Sequence, residues 1–427
     1  MVATMRFVAA AAAAAVALVG LAGCGGGDDE TTSASDKPVG TATLWARDSQ
    51  KGFINLLADT YNKSHEGQVR VSVIPAASFV QKFGTAAASG SGPDIASIDL
   101  VYLPYFASKG VLDDLTPVLE ELEWKDDLSP AHKELAVFED KTYALPFTAE
   151  ASVTFYNKDL FKKAGLDPEK PPATYDEMLE ASRAIKKLGE GHYGFVMAGS
   201  CGGCNIFEFA PHVWASGGEV LSEDGKTAQF DSPEVTEALQ FYRTMWEEGL
   251  MAPSSKTDNG STQGGTFQSG KVGMVNLGAF FVQTLAADKK IDFGVAPIVG
   301  RDGGTASFAG GDEIAVTAGA KNKAVAYDFV KWATGDEAQT LLADNSIVPV
   351  RTDLVETVYG VDDERYQVLG ESMSTGRTPY SVVENEIIND NNGPWATMIN
   401  KAVFGGGDIR AAQDEAQKAA QAIIDAG

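Results

Sequence analysis

Gly92-Pro-Asp-Ile-Ala-Ser-Ile-Asp99 is the stretch from which the fold is read. Glycine and proline end the element before them. The run from Asp94 to Ile98 is short and mostly apolar, as in a strand buried on both faces. Working back from it, Ser78 to Ala88 has helical character and stops at Ser-Gly-Ser-Gly-Pro. Val69 to Ile74 alternates as a strand does, and Phe53, Leu56, Leu57 and Tyr61 recur at helical spacing. Thr41 to Trp45 is the first strand, and on the far side of Asp99 the segment Leu103 to Ser108 is helical again. Strand–helix–strand–helix order predicts an α/β fold around a parallel sheet with right-handed crossovers.

The alternation breaks at Tyr143-Ala-Leu-Pro-Phe147, and a new extended run covers Ala151 to Asn157. Residues 158–250 read as mostly helical, with amphipathic stretches at Tyr175 to Leu188 and Pro233 to Glu248. Loops rich in Gly and Asn surround residues 258–265. Strands are expected at Val272 to Asn276, Asp292 to Ala296 and Glu313 to Thr317. One long helix is expected over Lys323 to Ala343, and a terminal helix over Arg410 to Asp425. No segment repeats at a fixed period.

The N-terminus reads as an export signal. Arg6 is followed by an apolar run from Phe7 to Leu18, too short for a bilayer span of ~20 residues. Leu21-Ala-Gly-Cys24 resembles a bacterial lipobox, which implies cleavage before Cys24 and a diacylglycerol on its thiol. Residues 1–23 are then a lipoprotein signal peptide. Residues 24–40, rich in Gly, Asp, Thr and Ser, are a flexible tether. The expected protein is soluble in its body, extracytoplasmic, and held on the cell membrane by its lipid anchor. The net charge of −25 argues against nucleic-acid partners, which need clustered Lys and Arg. It suits neutral or cationic ligands. In an oxidising compartment Cys201 and Cys204 are expected to pair across their two glycines. A thioredoxin-like centre and a zinc site are weaker readings of the same pair.

Five segments together resemble the extracellular solute-binding proteins of bacterial ABC importers, in the carbohydrate-binding group related to maltodextrin-binding protein. They are Gly92 to Asp99, Tyr143 to Phe147, Phe155-Tyr-Asn-Lys-Asp-Leu-Phe161, Gly270-Lys-Val-Gly-Met274, and Lys321 to Trp332 continuing into Gly335-Asp-Glu-Ala-Gln339. The resemblance implies a two-lobe periplasmic-binding-protein fold with discontinuous lobes and a ligand cleft between them. Lobe one would hold residues 41–148 and 299–345, and lobe two residues 149–298 and 346–427. Pro146, Pro297 and Pro349 fall where the chain would cross. The implied function is capture of a sugar or oligosaccharide and its delivery to permease subunits, as a monomer and without catalysis, cofactor or metal.

A sugar site needs an aromatic platform for ring C–H groups and carboxylates or amides for hydroxyls. Trp45 and Asp48 follow the first strand, and Asp99 and Tyr102 follow the third. By resemblance, Asp99 and Glu150 take positions where the family has ligand-contacting acids. Trp214 matches an aromatic before a Gly-Gly turn, and Phe280 matches a Gly-x-Trp with Phe in place of Trp. Gly310-Gly311-Asp312-Glu313 matches a turn beside the ligand, with an unusual acidic pair. Plainer roles stand beside these: Tyr102 and Trp214 as core, Asp48 as a helix cap, Asp312 and Glu313 as a solvated turn, and Trp332 and Trp395 as packing residues. Asn385, Asn389 and Arg377 are weaker candidates from lobe two. The Cys201–Cys204 loop is expected to shape one cleft wall.

Gly265-Thr-Phe-Gln-Ser-Gly-Lys271 begins like a nucleotide-binding loop, but Val272 stands where Ser or Thr must hold magnesium. His65, His132, His192 and His212 are scattered. A glycoside hydrolase is the alternative within the enzyme class, since it also uses paired carboxylates. A polyamine-binding lipoprotein is the alternative within the binding class, on the strength of the acidic charge.

Overall fold

A computed structural model describes residues 37–427 apart from Gly360 and Asp362. The signal segment, Cys24 and most of the proposed tether lie outside the described residues.

The first strand, β1 (Gly40–Arg47), buries Ala42, Leu44 and Ala46 at alternate positions. It pairs in parallel with β2 (Gly67–Ile74) on one side and β3 (Ile95–Asp99) on the other. The helix Lys51–Ser64 lays Ile54, Leu57, Ala58 and Tyr61 inward, and the helix Ala76–Ala88 returns the chain to β3. Asp94 anchors the start of β3. Its carboxylate accepts from Thr43 N at 2.7 Å, Thr43 Oγ1 at 2.8 Å, Lys321 N at 2.5 Å and Asn322 N at 3.1 Å. Burial pushes its pKa up, but these donors outweigh burial and hold it below the ordinary value. One side chain therefore joins the first strand to a segment far along the chain.

Beyond β3 the expected parallel order ends. The next strand in the sheet is β8 (Ala309–Val316), antiparallel to β3. Beside it runs β4 (Leu145–Asn157), thirteen residues long and buried except at Glu150. Its first part pairs antiparallel with β8, and its second part pairs antiparallel with both β6 (Val272–Gly278) and β7 (Phe293–Ala296). The last strand, β5 (Tyr193–Val196), is parallel to β6. The order is β2-β1-β3-β8-β4-β6-β5, with β7 on β4 off this path. The sheet is mixed because β8 returns from the far half of the molecule and enters from the opposite end, which no local crossover does. The extended run expected from Ala151 starts earlier, at Leu145, so the break at Tyr143–Phe147 lies inside or beside one continuous strand.

Apolar residues gather in three clusters. One packs Phe79, Phe83, Leu103 and Phe106 on one face of the β3 region. A second runs from Leu44 and Ile54 through Phe147 to Phe281 and Val295, and so is continuous across β4. The third packs Phe209, Tyr242, Trp395 and the terminal helix Ile409–Ile424 around the far half. Trp395 is fully buried. Trp332 meets Tyr61 edge-on at 5.5 Å.

The long helix expected over Lys323 to Ala343 is two helices, Lys323–Ala333 and Asp336–Asp344. Gly335 is extended, at φ −84° and ψ 173°, and Asp336 and Glu337 open the second helix. Acids in a first turn favour a new start, and apolar spacing carries across Thr334-Gly335 without showing the break.

Candidate functional site

Strand ends bring the polar core of the site together. Arg47 closes β1, Asp99 closes β3, and Asp312 lies opposite Asp99 in register on β8. The Arg47 guanidinium donates Nη1 to Asp99 Oδ2 at 2.6 Å, and Nη2 to both oxygens of Asp312 at 2.7 and 2.8 Å. Arg47 also donates its backbone N–H to Gln50 Oε1 at 2.9 Å, and Gln50 Nε2 donates to Ser97 Oγ. Burial works against the charge on Arg47, yet the two carboxylates hold its pKa above the ordinary value. Burial also lifts Asp312 above its usual range, with the Asp99 charge adding to it and Arg47 opposing it.

This triad lies at the base of a crevice of about 1040 Å³. One wall comes from Phe53, Leu56, Tyr102 and the Asn345–Val348 turn. The other comes from the Cys201–Cys204 loop, Phe207, Glu208, Gly260 and Gln263. The Gly278-Ala279-Phe280 segment and Glu150 lie between them. Phe280 is 58% exposed, so its ring is presented rather than packed. Burial drives Glu150 up to about 8, against the nearby amides of Ala279, Phe280 and Ala151, and its Oε1 has no partner. A Cβ at Gly278 would lie 2.6 Å from that oxygen and 2.7 Å from the Phe280 ring, so only glycine lets both face the space. Gly311 has φ +127°, and a Cβ there would lie 1.9 Å from Thr148 O. Glycine at 311 is thus required for β8 to meet β4 at the crevice.

Of the residues singled out by sequence, Asp99, Tyr102, Glu150, Phe280, Gly311 and Asp312 line this crevice. Four do not. Trp45 packs against the Phe79–Phe83–Phe106 cluster. Asp48 is exposed and its Oδ1 accepts from Ala76 N at 3.0 Å, tying the turn to the start of the Ala76–Ala88 helix rather than capping its own. Trp214 is 4% exposed and stacks behind Phe308 at 6.3 Å. Glu313 is fully buried opposite Ile98 and Pro146, where burial raises its pKa well above the ordinary value and the Asp312 charge adds to the rise. The acidic pair is therefore not a solvated turn. Among the weaker candidates Asn389 lines the crevice, whereas Asn385 and Arg377 do not, and Arg377 pairs with Glu219.

Cys201 and Cys204 are disulfide-bonded, and both line the crevice with Gly203. A Cβ at Gly202 would lie 2.4 Å from Ile388 O, so the glycine lets the loop press against residues 388–391. Gly202 N donates to Asn391 Oδ1 at 2.9 Å. Sequence reasoning missed Arg47, Phe207, Glu208 and Gln263. Arg47 showed only as a cation at a strand end. Glu208 had a usable signal, an acid inside Ile206-Phe-Glu-Phe-Ala210, where a helix is otherwise apolar.

Residues 46–340 match the family model described as bacterial extracellular solute-binding protein. The chain belongs to that family. It is a family of binding proteins, not of enzymes. This solute-binding protein is 27% identical over 400 residues to the diacetylchitobiose binding protein of Streptomyces coelicolor, covering 90% of this chain and 91% of the relative. It is 23% identical over 398 residues to a maltooligosaccharide ABC transporter solute-binding lipoprotein of Streptococcus pneumoniae, covering 91% and 90%. The crystal structure of the cyclic α-maltosyl-1,6-maltose binding protein from Arthrobacter globiformis superposes with a TM-score of 0.77 at 27% identity, over 91% of this chain and 100% of the other. The sugar-binding protein MalE of Xanthomonas citri gives a TM-score of 0.80 at 21% identity, over 91% and 98%, a likeness of fold. The fold is the mixed α/β periplasmic-binding-protein fold. Among the described residues no helix is long and apolar enough to cross a membrane, and no group of His, Cys, Asp and Glu is placed to hold a metal.

Proposed function

We propose that the protein captures a sugar or short oligosaccharide outside the cell and hands it to the permease of an ABC importer. A lipid on Cys24 would hold it at the membrane. The lobes would be residues 41–148 with 299–345, and 149–298 with 346–427, working as a monomer. β4, which serves both halves of the sheet, and the crossings near Ala296–Arg301 and Ser346–Arg351 would carry the hinge. Ligand would favour a closed state already accessible to the free protein.

The observation that carries this reading is the pairing of Arg47 with both Asp99 and Asp312 in a crevice that the exposed Phe280 ring also lines. The pairing leaves a surface dense in hydrogen-bonding groups but low in net charge. Glu150, raised to about 8, is mostly uncharged near neutral pH. A polyol meets such a surface with hydroxyls on the polar groups and ring C–H groups on Phe280 or Tyr102. A polyamine needs free carboxylates, and two of those in the crevice already share one cation. The names of relatives that bind diacetylchitobiose and maltooligosaccharide support the same class.

The test is a thermal-shift screen over mono- and oligosaccharides, amino sugars and polyamines. Ligand at a hundred times its Kd adds about 2.7 kcal/mol of stability. Stabilisation by sugars, lost in Asp99→Ala or Glu150→Ala, is the expected result. Stabilisation by polyamines alone refutes it.

A further inference from the structure

The crevice treats its acids differently. At its base, Asp99 gives one oxygen and Asp312 both oxygens to Arg47. On one wall, Glu208 meets no cation. It is 3% exposed, lines the crevice, and accepts from Gln263 Nε2 on one oxygen while its Oε2 has no partner. Gln263 is 2% exposed, lines the same wall, and its own Oε1 is likewise unpartnered. Two buried oxygens without partners, on side chains bonded to each other, beside an open space, form a ready-made polar subsite. Buried polar atoms without partners are costly, and the cost is relieved when a ligand supplies the missing bond.

The surroundings hold this pair in place. Asn276 Nδ2 donates to the Glu208 carbonyl at 3.0 Å and lies 2.9 Å from His212 Nε2. Glu208 ends the helix Gly202–Glu208, whose start is held by the disulfide and by Asn391. We propose that Glu208 and Gln263 form a hydroxyl-reading subsite that chooses among sugars by binding two neighbouring hydroxyls of an uncharged ligand. The proposal rests on the reading of the crevice as a sugar site.

The chemistry suits a vicinal diol. Burial raises Glu208 to about 8, against the Gln263 hydrogen bond and the nearby Ala198 amide, so near neutral pH it carries an O–H. The pair then offers one donor and one acceptor. Neighbouring hydroxyls meet both, since each can donate and accept. A site built in this way discriminates strongly against analogues that lack the hydroxyl, because its own buried groups are then left unpaired.

The test uses calorimetric titration of the full soluble protein with maltose, maltotriose, N,N′-diacetylchitobiose, mannitol and spermidine. Wild type, Glu208→Leu, Gln263→Leu and the conservative Glu208→Gln are compared. The tightest sugar is expected to lose roughly tenfold to a hundredfold in affinity in each leucine variant, with preference among the sugars narrowed, and little in Glu208→Gln, whose amide keeps one donor and one acceptor. One monodeoxy analogue of that sugar should lose the same factor on wild type and little more on the leucine variants. If neither leucine variant folds, the monodeoxy series on wild type decides. Sugar binding with unchanged affinity and preference in the leucine variants, or every monodeoxy analogue binding as the parent, overturns this inference alone. No sugar binding at all, or tighter binding of spermidine, overturns the functional reading together with it.

Discussion

Replacing Arg47 by methionine removes a cation from between two carboxylates and keeps most of the stem. Asp312 keeps only 6% of its side-chain surface and Asp99 keeps 30%, so Asp99 can turn to water and Asp312 cannot. Removing one partner of a buried pair costs 3–5 kcal/mol, and with one acid still hydrated the low end applies, about 3 kcal/mol. At 2–4 °C per kcal/mol for a unit of lobe size, the Tm should fall by about 6–12 °C at pH 8. The loss must also depend on pH. Asp312 is already above its ordinary value through burial, and without Arg47 it rises further. A carboxyl whose folded pKa exceeds its unfolded one binds more protons when folded, so stability falls as pH rises through that window. The deficit of Arg47→Met is therefore largest at pH 8 and shrinks as pH falls toward 4. Urea unfolding of both proteins at pH 5 and pH 8 measures it. A deficit equal at both pH values, or below about 1 kcal/mol at pH 8, refutes the reasoning.

Three further outcomes are expected. Glu150→Gln should melt a few degrees above wild type at pH 9 and level with it near pH 5. Glu150 is raised to about 8, so the wild type loses stability as pH rises from its ordinary carboxylate range through that value; melting curves across that range decide. Phe280→Ala should leave ligand-free stability within about 0.5 kcal/mol, because the ring is 58% exposed. The same change should weaken sugar binding up to roughly tenfold through loss of the aromatic face. Gly311→Ala should cost at least about 3 kcal/mol in urea unfolding, since a Cβ meets Thr148 O at 1.9 Å; a near-neutral result would mean the paired strands can relax.

How far the site was legible depended on whether a residue's role followed from its place on an element. Asp99 and Glu150, singled out by the family resemblance at a strand end and just past a chain crossing, line the crevice. Trp45 and Trp214 were open between ligand and core because an aromatic reads alike in either place, and the structure packs them against Phe79, Phe83 and Phe308. Asp48 was taken toward ligand or its own helix, yet it holds Ala76, a contact across the sheet edge that no local pattern announces. Glu208 and Gln263 meet only when two segments, 55 residues apart in the chain, pack on each other.

The order of the main strands and helices and the family were legible in sequence alone, because apolar periodicity, turn residues and short motifs act over a few neighbours. The direction of β8, the continuity of β4 through both halves, and the sharing of Arg47 between Asp99 and Asp312 belonged to the tertiary structure. Each joins residues far apart in the chain. Hydrogen-bond register and burial then decide which side chain meets which, and so what charge the crevice presents.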